Sequence, residues 1–333
     1  MADNVIQALV EKARQNPSRI IFPESAEEKV LEAASLAAER GIARPVLVGT
    51  PEDVRAHAEK LGISLAGVDV VGLPSPEQAA QLAHDYVESG GRLLREGICA
   101  KRMGNPLFYA AMLVRTGAVD AMVAGLTYST ADVIFAAKAV VGMREGISTP
   151  SSIFLMEVPR YLGSEGDQIV FADCGVCVAP GPAEVADIAI STSDTVRRLL
   201  GWEPRVALLS FSTKGSARHP QAEETLAALE LVRQRDPELL VDGELQLDAA
   251  ICPDVAAKKV GGESPVAGHA NILIFPDLAA GNITYKAVQR FAGANAYGPF
   301  LQGFAKTVSD LSRGSSVEDI LGVTVMASVC AQE

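Results

Sequence analysis

Short apolar runs alternate with longer segments of helical period along the whole chain. The runs RIIFP (19–23), RPVLVG (44–49), VDVVGL (68–73), AVDAMVAG (118–125) and SSIFLMEV (151–158) read as buried strands. Between them, SAEEKVLEAASLAAERG (25–41), PEDVRAHAEKLG (51–62) and the stretches at about 76–90, 106–116 and 130–142 carry helical spacing. Ser25 and Glu28 stand in capping-box spacing, with Gly41 as the stop. A second series follows: QIVFADC (168–174), RVALLSF (205–211), ANILIFPD (270–277) and AYGPFLQG (296–303). Its helices fall at about 182–200, 219–235, 248–259 and 281–292. This rhythm predicts an α/β protein with largely parallel sheets. The last helix, from Val317 on, is apolar on most sides and must be buried.

The first sixteen residues read as an amphipathic helix, with Asp3 near its start and Ile6, Leu9, Val10 and Ala13 on one face, rather than as a signal peptide. The chain has 333 residues, enough for two domains. Its 29 Lys and Arg stand against 41 Asp and Glu, a net charge of −12 that disfavours nucleic acid or an anionic membrane as the main partner. Five cysteines, with a single CxxC-like pair at Cys174 and Cys177, make neither a disulfide framework nor a zinc site, and suit a reducing cytoplasm.

Familiar nucleotide and metal motifs are absent: there is no G-x-G-x-x-G after a strand, no Walker A, and the four histidines stand alone. What remains are four polar loops where strands end, the places at which open α/β sheets bind ligands. They are GLTYSTAD (125–132), SFSTKGSARH (210–219), PDLAAGNITYKA (276–287) and VSDLSRGSSVEDI (308–320). Ser, Thr, Asn and Gly there suit anion binding, but they also suit plain turns and caps. The fourth loop shows the ambiguity. Ser316 and Asp319 have capping-box spacing, which accounts for the acid. Alternatively Arg313 clamps a phosphate, Ser312 donates to an oxyanion and Asp319 is a base. Moving a thiol proton to an ordinary aspartate is uphill by about 6 kcal/mol, so the second reading requires Asp319 to be buried beside Ser312 and Arg313.

Several segments carry a resemblance: FPES (22–25), VDAMVAG (119–125), STAD (129–132), FADC (171–174), LSFSTKGSA (209–217), DGELQLDAA (242–250), the long stretch 264–290, GPFLQGFAK (298–306) and SDLSRGSSVEDI (309–320). Together they resemble the phosphate acetyl/butyryltransferase family, most closely its short single-unit phosphotransacetylases. The resemblance implies two α/β domains flanking a cleft, as in the isocitrate/isopropylmalate dehydrogenases. The first would span 1–158 plus 303–333 and the second 159–302. It implies reversible transfer of an acetyl group between coenzyme A and inorganic phosphate, by direct thiolate attack in a ternary complex. Coenzyme A would be a substrate, with acetyl phosphate and phosphate; no cofactor or metal is implied. A cytoplasmic homodimer is expected.

Carried over by position, Asp319 matches the thiol base, Ser312 the transition-state donor and Arg313 the phosphoryl clamp. Ser129, Thr130, Asn282, Tyr285 and Lys286 match the acyl-phosphate pocket, with Ser212 and Thr213 in another substrate loop. Phe135 stands where relatives often have an arginine for the phosphates of coenzyme A, with Lys138 one turn on. Arg92 and Arg95 match a second such contact loosely. These departures leave open a propionyl- or butyryl-transferring enzyme. A non-catalytic acyl-CoA-sensing module is the alternative from another class.

Overall fold

The computed structural model describes residues 5–332, so Asp3 lies outside the described residues. The chain divides into two compact units, one made of the residues up to Glu145 together with Phe304 onward, the other of Gly146–Gly303.

The first unit opens with α1 (Val5–Gln15), β1 (Arg19–Phe22), α2 (Glu28–Glu39), β2 (Arg44–Val48), α3 (Pro51–Leu61), β3 (Asp69–Val71), α4 (Pro76–Glu88) and α5 (Glu96–Arg102). It continues through α6 (Pro106–Thr116), β4 (Ala121–Ala124) and α7 (Thr130–Ala136), which runs into a π-helical turn at Ala137–Val141. The second unit holds β5 (Ser151–Glu157), β6 (Gln168–Ala172), α8 (Pro182–Leu200), β7 (Arg205–Leu209), α9 (Pro220–Arg235), β8 (Leu240–Leu245), α10 (Leu247–Ile251), α11 (Pro253–Lys259), β9 (Ile272–Ile274), α12 (Leu278–Phe291) and β10 (Asn295–Gln302). The chain then re-enters the first unit with β11 (Thr307–Asp310) and α13 (Val317–Cys330).

The first unit's sheet has the order β11-β4-β1-β2-β3 and is parallel throughout. Its central strands are apolar on both faces, as a sheet covered on both sides requires. The apolar α13 packs on α1, α2 and three strands of this sheet, burying Ile320, Leu321, Val323, Val325, Met326 and Val329. The second unit's sheet runs β10-β5-β6-β9-β7-β8; β6, β9, β7 and β8 are parallel, while β5 is antiparallel to both of its neighbours.

Three expectations are corrected. The boundary falls at Glu145 rather than 158, because β5 pairs with β6 and β10 and so belongs to the second sheet. The helix expected over 248–259 is two short ones, interrupted where Cys252 turns extended before Pro253. Ser25 forms no capping box: its hydroxyl donates to the Val48 carbonyl (2.6 Å), and α2 starts after Glu27 without a side-chain cap. No helix among the described residues is long and apolar enough to cross a membrane.

Candidate functional site

In the first unit, β1, β4 and β11 lie side by side and parallel, with Asp310 opposite Ala124. Their carboxyl ends therefore release three loops at one edge of the sheet. Glu24, just beyond β1 and only 5% exposed, holds the loop after β4. Its Oε2 accepts from the amides of Gly125 (2.9 Å) and Leu126 (3.1 Å). Its Oε1 accepts from the Thr127 amide (2.5 Å) and hydroxyl (2.7 Å) and from the Tyr128 amide (3.1 Å). Five donors on one carboxylate offset the cost of burying it, and they leave the loop a fixed shape. Glycine at 125 is required: its φ is +116°, and a Cβ would collide with the Asp310 carboxylate and the Leu311 backbone.

Beyond this anchor, Ser129 caps α7. Its hydroxyl donates to Asp132 Oδ2 (2.6 Å) and accepts from the Asp132 amide (3.1 Å). These bonds to Ser129, aided by the Arg313 charge, hold the Asp132 carboxyl below the usual aspartate range. Thr130 Oγ1 donates to Asp310 Oδ2 at 2.5 Å, tying the loop after β4 to the end of β11. Asp310 is 1% exposed, and its Oδ1 has no hydrogen-bond partner among the described residues. Burial pushes its carboxyl up to about 6; the Thr130 hydroxyl and the Leu311 amide oppose this, and the charge of Glu24 adds to it.

Ser312 and Arg313 follow on an exposed turn. The Ser312 hydroxyl accepts only a long bond from the Gly314 amide (3.4 Å), while Lys29 secures the base of the turn through the Ser315 carbonyl (2.9 Å). Asp319 is exposed and sits in the capping box of α13, its Oδ2 accepting from the Ser316 amide and hydroxyl, both at 2.9 Å. The burial that the base reading required is not found; the geometry is that of the cap, and both bonds fall on one oxygen. The structure thus brings Ser129, Thr130, Ser312, Arg313 and Asp319 onto the loops and first helical turns that follow β4 and β11.

The second unit uses the same device with the opposite outcome. Ser212 is completely buried, donating to Glu244 Oε1 (2.7 Å) and accepting from the Ala217 amide (3.0 Å). Thr213, also buried, is bonded to Gln246. Glu244 also takes the Gly215 amide (2.8 Å), and Lys214 pairs with Asp242. The hydroxyls counted as candidate contacts are therefore bonded inward to Glu244 and Gln246, while Phe211 is half exposed. At the end of β6, the buried Asp173 gathers the Ser152 amide and hydroxyl and the amides of Gly175, Val176 and Cys177. Burial, then the Asp173 charge, pushes the Cys174 and Cys177 thiols far upward, so neither is a ready nucleophile. On α12, Asn282 donates to the Cys174 carbonyl (3.1 Å). Tyr285 stacks on Phe154 with centroids 4.2 Å apart, and the exposed Lys286 places its Nζ 5.7 Å from the Tyr285 ring.

Sequence reasoning gave no role to Glu24, Asp310 or Glu244. Each is an acid at or just past the end of a buried strand, with a Gly, Ser or Thr loop for it to hold, and that is the signal that would have found them. At Phe135, half exposed, the ring meets Phe108 edge-on, and the Arg102 guanidinium lies 4.8 Å from the Phe108 ring. A cation therefore stands near the position where the arginine is missing. Among the described residues, no group of three or more His, Cys, Asp or Glu is placed to hold a metal ion.

Two α/β units, each with loops at the carboxyl ends of parallel strands held from beneath by buried carboxylates, define the class as a ligand-binding α/β protein. The family is fixed by comparison. The model of the phosphate acetyl/butaryl transferase family matches residues 4–328, and the chain belongs to that family. It is 42% identical to a phosphate acetyltransferase of Thermoanaerobacterium thermosaccharolyticum, over 99% of this chain and 100% of that one. Among solved structures it is similar to a phosphotransacetylase from Streptococcus pyogenes (TM-score 0.89, 36% identity, 98% of each chain covered). It is also similar to the EutD phosphotransacetylase from Staphylococcus aureus (TM-score 0.88, 32% identity, covering 99% and 100%).

Proposed function

We propose that the chain is a phosphate acetyltransferase, which interconverts acetyl-CoA plus phosphate with acetyl phosphate plus coenzyme A. The observation that carries this reading is the exposed Ser312–Arg313 turn beside the Ser129–Thr130 loop, on a chain that matches the family from end to end. Arg313 presents a planar fork suited to a phosphoryl group. Ser312, with only one weak internal bond, donates to the oxygen that gains charge as the thiolate attacks the acetyl carbonyl. Asp319 caps α13 through Oδ2 and takes the thiol proton on Oδ1. Asp319 is exposed rather than buried, so the thiolate must be stabilised by its surroundings as it forms. Ser129 and Thr130 contact the acyl phosphate. Of the second unit's candidates, Asn282, Tyr285 and Lys286 remain substrate contacts. Ser212 and Thr213 act by shaping their loop, because their hydroxyls are internally bonded.

The substrates carry the chemistry without a further cofactor. Acetyl is preferred over longer acyl groups, and the protein works in the cytoplasm as a homodimer. The test is breakdown of acetyl-CoA by the purified protein in arsenate, followed at the thioester absorbance, with propionyl- and butyryl-CoA beside it. Arsenate-dependent loss, fastest with acetyl-CoA, is expected. Binding of acetyl-CoA without any turnover would instead identify a sensing module.

A further inference from the structure

We propose, resting on the phosphate acetyltransferase reading above, that Asp310 is a positioning residue acting through Thr130: its proton decides whether the Thr130 hydroxyl donates inward to the protein or outward to an acyl-phosphate oxygen. An ionised carboxylate has only acceptor oxygens. Against it, Thr130 must spend its single proton on Asp310 Oδ2, as the 2.5 Å contact between them requires. Only oxygen lone pairs then face outward, and an acyl phosphate brings acceptors of its own. When Asp310 is protonated, its Oδ2–H donates to Thr130 Oγ1, and the Thr130 proton is released to point at the substrate. One proton enters from solvent as the acyl phosphate binds, and it leaves again with it; no bond to carbon or phosphorus changes in this step.

The surroundings favour such a group. Asp310 Oδ1 is buried without a hydrogen-bond partner among the described residues, packed where a Cβ on Gly125 would fall. An ionised oxygen in that position carries its full desolvation cost. Among the charged groups around it, Glu24 from the loop after β1 is negative and favours the neutral form. Asp132 of α7 is turned to Ser129, Lys29 of α2 to the Ser315 carbonyl, and Asp319 of α13 to Ser316. Arg313, on the same loop as Asp310, acts on Asp132. β4 contributes only Ala121–Ala124 and no charge. Among the described residues, no cation therefore compensates an ionised Asp310, and burial holds its carboxyl up at about 6.

The experiment is acetyl phosphate affinity of the full chain at pH 6 and pH 8, measured calorimetrically in two buffers of different ionisation enthalpy. The wild type should weaken by up to ~50-fold between the two, the limit when only the protonated form binds, and should take up close to one proton on binding at pH 8. Asp310→Asn keeps the shape and donates permanently from its carboxamide. Its affinity at pH 8 should equal or exceed that of the wild type, with a flat pH profile and no proton uptake. Thr130→Val, at an exposed position, should bind weakly at both pH values and lose the slope, read on protein whose fold is checked by its melting transition. The proposal is overturned if wild-type affinity is flat, or if the slope persists in either variant. Failure of the enzymatic reading looks different: acetyl phosphate would bind with the predicted slope, but no transfer to coenzyme A would occur.

Discussion

The loops after β11 and β7 share a composition and differ in direction. Both are Ser-rich, both follow a buried parallel strand, and both carry basic residues, Arg313 in the first and Lys214 and Arg218 in the second. After β11, Ser312 and Arg313 project to solvent, while the buried acid, Asp310, lies behind them in the strand. After β7, the buried acid is Glu244 on the neighbouring strand β8, and it draws Ser212 inward. Lys214 is drawn to Asp242 in the same way. The placement of the acid, rather than the hydroxyl content of the loop, decides which side chains are left for a ligand.

Substitutions at the anchors probe this contrast most strongly. Glu24→Gln replaces one acceptor oxygen with a donor that faces amide donors. It should destabilise the protein by about 3 kcal/mol, seen as a lower denaturant midpoint. A comparable but pH-dependent effect is expected at Asp310. Its carboxyl is raised in the folded state, so folding binds protons as pH falls through about 6, and stability falls as pH rises from the ordinary aspartate range through that value. Above it the penalty is constant, on the order of 3 kcal/mol for a shift of this size. Asp310→Asn should therefore melt higher than the wild type at pH 8, with the advantage shrinking toward pH 4.

Ser212→Ala tests the inward-turned loop. It removes a donor from the buried Glu244 and should cost about 1–3 kcal/mol of stability. Turnover of the protein that remains folded should stay close to wild type. Ser316→Ala removes only a helix cap, about 1 kcal/mol, and separates that role from the proposed chemistry of Asp319. If Asp319→Ala loses no more activity than Ser316→Ala, Asp319 is a cap alone.

Much of this architecture was legible from periodicity, because long apolar helices and Val/Ile/Leu strands announce themselves. The two missed strands explain the limits. β11 is only Thr307–Asp310, with Ser309 and Asp310 buried at positions a hydropathy pattern reads as exposed. β8 (Leu240–Leu245) carries Asp242, Gly243 and Glu244, all buried. In both, polar residues inside a strand serve the loops beside them, and this conflict between local pattern and tertiary role hid the strands. Sheet membership was likewise invisible at β5, whose apolar sequence fits either unit until its antiparallel partners are known. The strand-end loop itself offered Ser312, Arg313 and Asp319 as candidates, and the resemblance added Ser129 and Thr130 by sequence position. Which way Ser212 and Thr213 face depends on Glu244 and Gln246, some thirty residues away, and no local rule conveys it.

The central claim is that the exposed turn after β11 carries the phosphoryl chemistry. The most direct test is arsenate-dependent breakdown of acetyl-CoA by Arg313→Ala, at an unchanged melting temperature. Arg313 is exposed, so the account predicts turnover reduced by ~10²-fold or more without loss of stability. Wild-type turnover by the variant would contradict it.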